Sequence, residues 1–181
     1  MSDIQNQKKA LRQLVKERKA AFSEYQLKSF SSVIFEKVEL KSSFQYASTI
    51  LCYWSIEGEV FTHDFINKWY LRKNILLPVI EGSTLVLKKF NGEKRMVINN
   101  PYKIPEPDGP AYTDLDKIDI AIIPGIAFDM ENNRLGRGKA FYDKLLTHLS
   151  AIRIGVCFQF QLFENIAVNE KDIKMDLVIY D

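Results

Sequence analysis

Between residues 124 and 143 the chain reads PGIAFDMENNRLGRGKAFYD. Gly125, Gly136 and Gly138, three of its eight glycines, fall here beside Arg134, Arg137 and Lys139. The stretch joins an apolar, strand-like run to a helix-like one. In open α/β sheets, anions settle beyond the carboxyl ends of strands, where helix amides are free and the helix dipole is positive. Glycines let backbone approach an anion closely, and arginine forks match phosphate oxygens. A polyphosphate therefore fits this stretch; a solvated surface turn fits the same spacing. The stretch is neither G-x-x-x-x-G-K-[ST] nor G-x-G-x-x-G, since Ala140 follows Lys139 and Phe141 stands three places after Gly138.

A second cationic element lies at the start of the chain. Ile4, Leu11, Leu14, Val15 and Phe22 recur at helical spacing, and Lys8, Lys9, Arg12, Lys16, Arg18 and Lys19 outnumber Asp3 and Glu17 on the remaining face. Lys8 and Arg12, four apart, share one side of that helix. Nucleophilic chemistry is not indicated, because no G-x-S-x-G turn is present and neither cysteine has a histidine at motif spacing. Two histidines, His63 and His148, and two cysteines, Cys52 and Cys157, cannot assemble a zinc finger, an iron-sulfur site or a disulfide framework. Both cysteines sit in apolar runs and read as buried thiols.

The elements that must carry these residues alternate. The basic helix over 4–22 is followed by a second, opened by a Ser23/Gln26 capping box and running through Val38, which gives an N-terminal helical hairpin. STILCYW near 48–54 and ILLPVI at 75–80 read as strands around a helix at 62–73, and TLVLKKF at 84–90 as a hairpin partner after the Glu81-Gly82-Ser83 turn. Four of the six prolines crowd residues 99–110, so an extended lid or binding loop is expected there. DIAIIPGIAF at 119–128 reads as the central strand, covered on both faces. A helix over 139–149 and strands at RIGVCF and DLVIYD complete a three-layer α/β/α sandwich with an open, mostly parallel sheet. No repeat or composition break divides the 181 residues, so 1–181 is read as one domain.

Taken together, the run from Ile118 to Leu146, with KKALR at 8–12, WSIEGEV at 54–60, KIPEP at 103–107 and VNEKDIKMDLVIYD at 168–181, resembles the 5-formyltetrahydrofolate cyclo-ligase family. The likeness extends end to end. It implies an enzyme that turns 5-formyltetrahydrofolate and ATP, with Mg²⁺, into 5,10-methenyltetrahydrofolate, ADP and phosphate. It also implies the fold shared with sugar-phosphate isomerases and CoA transferases. Carried over by position, the resemblance makes Lys8, Lys9, Arg12 and the loop Arg134, Leu135, Gly136, Arg137, Gly138, Lys139, Ala140, Phe141 and Tyr142 the ATP contacts. Trp54 and Glu59 become folate contacts together with Arg137 to Phe141, Asp143 and Asp172 become metal ligands, and KIPEP a pocket wall. Arg137 and Lys139 are the implied catalytic pair. The formyl oxygen would attack the γ-phosphate, which requires positioning and charge rather than a protein nucleophile.

The chain departs from the common pattern at Ala140, where glycine is usual, and at Phe141, where tyrosine is; Ala140 is expected at negative φ or under strain. Two other functions fit parts of the sequence: an ATP-independent isomerase or transferase on the same fold, and a binding module gripping RNA or an acidic partner through the basic helix from Lys8 to Lys19. A formal charge of only +2 argues against the second. The polar opening MSDIQNQKK lacks an apolar segment, so neither secretion nor a membrane anchor is indicated and a cytoplasmic protein is expected; with the resemblance, small-molecule substrates, a monomer and neither membrane nor nucleic-acid partners are the expectation.

Overall fold

A computed structural model describes residues 3–181; Met1 and Ser2 of the polar opening lie outside the described residues. Strands β1 (Thr49–Leu51), β2 (Asn74–Glu81), β3 (Thr84–Lys89), β6 (Ile120–Pro124), β9 (Ile152–Cys157) and β11 (Leu177–Tyr180) form one sheet in the order β11-β9-β6-β1-β2-β3. All neighbours are parallel except the β2–β3 hairpin. The period-two alternation of strand side chains assigns each residue to a face. Ile50, Ile75, Leu77, Ile120, Ile122, Ile154 and Val156 point to one side, against α2 (Glu24–Glu39), α3 (Ser42–Tyr46) and α4 (His63–Trp69). Leu51, Leu76, Ala121 and Ile123 point to the other, where Leu145 and Leu146 of α5 (Phe141–Leu146) pack. Helix α2 begins with the expected capping box of Ser23 and Gln26.

The order places β1 and β6 side by side while the chain leaves them in opposite directions across the sheet. Such a reversal opens a crevice beyond the strand ends. The segments after β1, which carry Trp54 and Glu59, and after β6, which carry the glycine-rich loop, therefore leave the same edge of the sheet at adjacent strands.

Several expectations need correction. The run at 119–128 is not one strand: β6 stops at Pro124, and β7 (Ala127–Asp129) joins β8 (Arg134–Leu135) and β10 (Leu162–Phe163) in a second, three-stranded sheet. Proline cannot donate to a ladder, and the Phe128 ring folds back over the α-carbon of Gly125. The helix expected over 139–149 runs only over 141–146: Ala140 holds φ +54°, a left-handed conformation that cannot extend a helix backwards, so it starts at Phe141, and it ends at Leu146. Ala140 thus keeps a backbone suited to glycine instead of moving to negative φ. The proline-rich segment is not wholly irregular, since β5 (Glu106–Pro107) pairs with β4 (Met96–Val97) and Glu106 accepts from the Ile80 amide at 2.9 Å. Helix α1 (Asp3–Lys19) stops three residues short of Phe22. Its buried Val15 packs with Ala127, Leu135 and Ile166, while α2 enters the main core, so the two helices follow one another in sequence but face different clusters. No helix among the described residues is long and apolar enough to cross a membrane.

Candidate active site

The glycine-rich loop is built in two parts. Its first part hangs on Asp129, a carboxylate only 1% exposed. Oδ1 accepts from the Glu131 and Asn133 amides at 3.0 and 2.9 Å, and Oδ2 from Asn133 Nδ2 and the Ile166 amide at 2.9 and 3.1 Å. Four donors replace the water this buried charge has lost. Arg134 follows, also buried; its Nη2 donates to Asp143 at 2.8 Å, its Nη1 to the Pro124 carbonyl at 3.3 Å, and the guanidinium lies over the Tyr142 ring. A β-carbon at Gly136 would stand 2.9 Å from Arg134 Nη1, so a side chain there would press on the guanidinium. Arg134 is thus a brace beneath the loop, and Leu135 is buried with α1.

The second part, Arg137 to Ala140, is exposed. Arg137 reaches across 78 positions of sequence to Glu59, with Nε at 3.2 Å and Nη2 at 2.9 Å from Oε1. The other oxygen of Glu59 accepts from the Ile56 amide at 3.1 Å. The side chain of Lys139 has no ion pair or hydrogen bond among the described residues, which leaves a free ammonium at the loop tip. Phe141 is half-buried, and burial pushes the Tyr142 phenol well up from its ordinary range, keeping it protonated.

Helix α1 lies against this loop. Arg12 Nε donates to the Gly136 carbonyl at 3.0 Å; burial lowers the pKa of the guanidinium, with the nearby Asp172 charge opposing that shift. Lys8, one turn earlier and buried, is paired with Asp172. Lys9 is exposed on the adjacent face. The structure therefore brings Lys8, Arg12, Gly136, Arg137, Glu59, Arg134, Asp143 and Asp172 into one connected set. Trp54 stands at the rim, already stacked on His63 at 3.7 Å and on Phe90 at 5.5 Å, so it forms a wall more than an open platform.

The two expected metal ligands, Asp143 and Asp172, are each held by a basic partner through one oxygen, leaving the second oxygen without a protein partner among the described residues. No cluster of three or more potential ligands occurs among those residues. Two carboxylates without a cage fit a cation that completes its shell with phosphate and water, as Mg²⁺ does. Both cysteine thiols are pushed up to about 12 by burial and are inert, as expected.

Sequence reasoning missed Asp129. Its signal was present as an Asp followed by two asparagines just before the glycines, a pattern that favours side-chain-capped turns. It also missed His63, whose pKa burial lowers and whose ring covers Trp54; nothing in its local sequence marks it.

A family model described as the 5-formyltetrahydrofolate cyclo-ligase family matches residues 4–181. The 5-formyltetrahydrofolate cyclo-ligase of Escherichia coli K12 is 32% identical over 142 residues, 74% of this chain and 78% of that protein. A protein of Caenorhabditis elegans named as a probable 5-formyltetrahydrofolate cyclo-ligase is 28% identical over 197 residues, with 100% and 96% covered. The structure of Aquifex aeolicus 5,10-methenyltetrahydrofolate synthetase superposes with a TM-score of 0.85 at 28% identity, covering 96% of this chain and 89% of that one.

Proposed function

The chain belongs to the 5-formyltetrahydrofolate cyclo-ligase family, and from that premise we propose how its own residues carry out the ATP-dependent conversion of 5-formyltetrahydrofolate to 5,10-methenyltetrahydrofolate. The observation that supports the assignment of roles is the Arg137–Glu59 pair, which joins the cationic loop to the segment expected to hold folate. In this reading Lys8, Lys9, Arg12 and the loop 134–142 form the ATP site, with Arg134 and Leu135 bracing it from beneath, and Trp54, Glu59 and residues 137–141 receive the folate. The reacting oxygen and the γ-phosphorus meet at Arg137 and Lys139.

Arg137 is half exposed while Glu59 is largely buried, so the pair opens from the guanidinium's side. A folate donor arriving at Glu59 can therefore release the guanidinium toward the phosphate. Lys139, already unpaired, offers its charge where negative charge grows as the formyl oxygen bonds to the γ-phosphorus and the bond to the ADP oxygen breaks. N10 then bonds to the formyl carbon and gives up its proton, and the phosphate leaves with the oxygen it took. The protein supplies position and charge; no side chain becomes covalently attached. Asp143 and Asp172 would hold Mg²⁺ through their unpartnered oxygens, and the cation would supply charge neutralisation on the phosphates. KIPEP, tied to β2 through Glu106, would wall the folate side.

The working unit in this reading is one catalytic domain, residues 1–181, a cytoplasmic monomer acting on small molecules and not on nucleic acid or membranes; the balanced net charge of +2 supports the last point. The test is the appearance of methenyl absorbance on mixing the protein with 5-formyltetrahydrofolate and Mg-ATP. No absorbance, with sugar phosphate bound instead of nucleotide, would replace the ligase reading with an isomerase or transferase.

A further inference from the structure

Lys8, Arg12 and Lys19 are spaced four and seven apart and so fall on one stripe of α1, with the buried Val15 between them. The first two meet Asp172 and the Gly136 carbonyl. The third lies about 10 Å further along, two turns beyond Arg12. There its side chain crosses the α-carbon of Gly58, in the turn that precedes Glu59: a β-carbon at Gly58 would stand 1.9 Å from Lys19 Nζ and 2.8 Å from Cε. Gly58 also holds φ +79°, so both its conformation and the lysine above it demand glycine. Lys19 is half-buried, yet its ammonium has no ion pair and no hydrogen bond among the described residues. A donor group thus lies over the turn that leads into Glu59, with no partner of its own among the described residues.

The pyrimidinone edge of a reduced folate shows the 4-oxo oxygen, an acceptor, next to the N3–H and 2-amino donors. A carboxylate alone matches the donors and repels the oxygen; an ammonium alongside matches the whole edge. We propose that Lys19 is a specificity-determining residue of the folate pocket, donating a hydrogen bond to the pteridine 4-oxo oxygen while Glu59 accepts from N3–H and the 2-amino group. The proposal rests on the folate reading of Trp54 and Glu59 given above. Two other oxygens suit the site less well. ATP phosphates belong with Arg12 and Gly136, two helical turns away, and the glutamyl carboxylates are separated from the pteridine by the aminobenzoyl group, whereas Gly58 and Glu59 are adjacent residues.

Steady-state kinetics on the full chain, comparing wild type with Lys19→Met, Lys19→Arg and Glu59→Gln, tests this. Lys19→Met is expected to raise the KM for 5-formyltetrahydrofolate about 10-fold, the scale of a charge-assisted hydrogen bond, with kcat and the KM for ATP within about 2-fold of wild type. Lys19→Arg should recover part of the loss. The same penalty should appear with 5-formyltetrahydropteroate, which lacks the glutamate, and the preference of wild type for the 4-oxo over a 4-amino ligand should shrink by the same factor in Lys19→Met. A penalty that vanishes with the pteroate substrate would assign Lys19 to the tail and overturn the proposal, as would a shift confined to the KM for ATP. If Glu59→Gln raises the folate KM and Lys19→Met does not, Lys19 is wrong and the pocket stands. If neither raises it, the pocket reading fails and the proposal with it.

Discussion

The two halves of the glycine-rich loop treat charge in opposite ways. From Asp129 to Arg134 every ionised side chain but the exposed Glu131 is buried and held: Asp129 by four N–H donors, Arg134 by Asp143 and a backbone carbonyl, with only its Nε left without a partner among the described residues. From Arg137 to Lys139 the charges are exposed, one paired with Glu59 and one with no partner among the described residues. Buried charges are costly unless satisfied and, once satisfied, fix the backbone; exposed ones are cheap to redirect. The contrast separates a foundation from the groups that meet ligand, although a single run of twenty residues encodes both.

The sharpest way to break that division is Asp129→Ala, which strands the Asn133 amide group and three backbone donors. It should cost about 3–5 kcal/mol of stability in a urea melt. An unchanged melt with lost turnover would move Asp129 to the ligand-handling side. Lys139→Ala, and Arg137→Ala in parallel, should lower kcat/KM by about 2–4 kcal/mol while leaving the melting temperature in place; near-normal turnover in both would remove the catalytic pair. At the junction, Ala140→Gly relieves a left-handed alanine and should stabilise by about 1 kcal/mol, less the entropy that glycine adds to the unfolded chain. A loss of stability would show that the alanine methyl packs in a way that outweighs its strain.

The smallest effect concerns His63, behind Trp54. Its folded pKa is lowered from the usual 6.5 by burial, so the unfolded chain takes up the proton first. The stability this contributes is full above pH 6.5 and is lost as pH falls through the folded value. An NMR titration should place the His63 midpoint below that of a histidine in a short peptide, and His63→Phe should flatten the decline in stability below pH 6.5. A midpoint at or above 6.5 would mean that the ring is not desolvated as its stacking implies.

Much of the fold was legible in local pattern. The apolar run ILLPVI, the Ser23/Gln26 box and the apolar stripe of α1 each record a short-range rule, and each element formed close to where the pattern set it. Errors clustered where backbone geometry departs from what the spacing of apolar residues records. Residues 119–128 look like one strand because apolarity does not reveal that Phe128 folds onto Gly125. The helix after the loop was overestimated because leucine spacing cannot show that Ala140 keeps φ +54°.

For the site, residue types and spacing determined by themselves that a cationic, glycine-rich turn follows an apolar strand, that a basic helix opens the chain, and that no side-chain nucleophile accompanies them. Those are properties of neighbours in sequence. Only the tertiary structure decided which charges were foundations and which remained free, because pairing depends on burial and on partners such as Glu59 for Arg137 or Asp172 for Lys8, 78 and 164 positions away. A charge costs or contributes according to the dielectric and donors around it, and those are set by how the chain closes on itself.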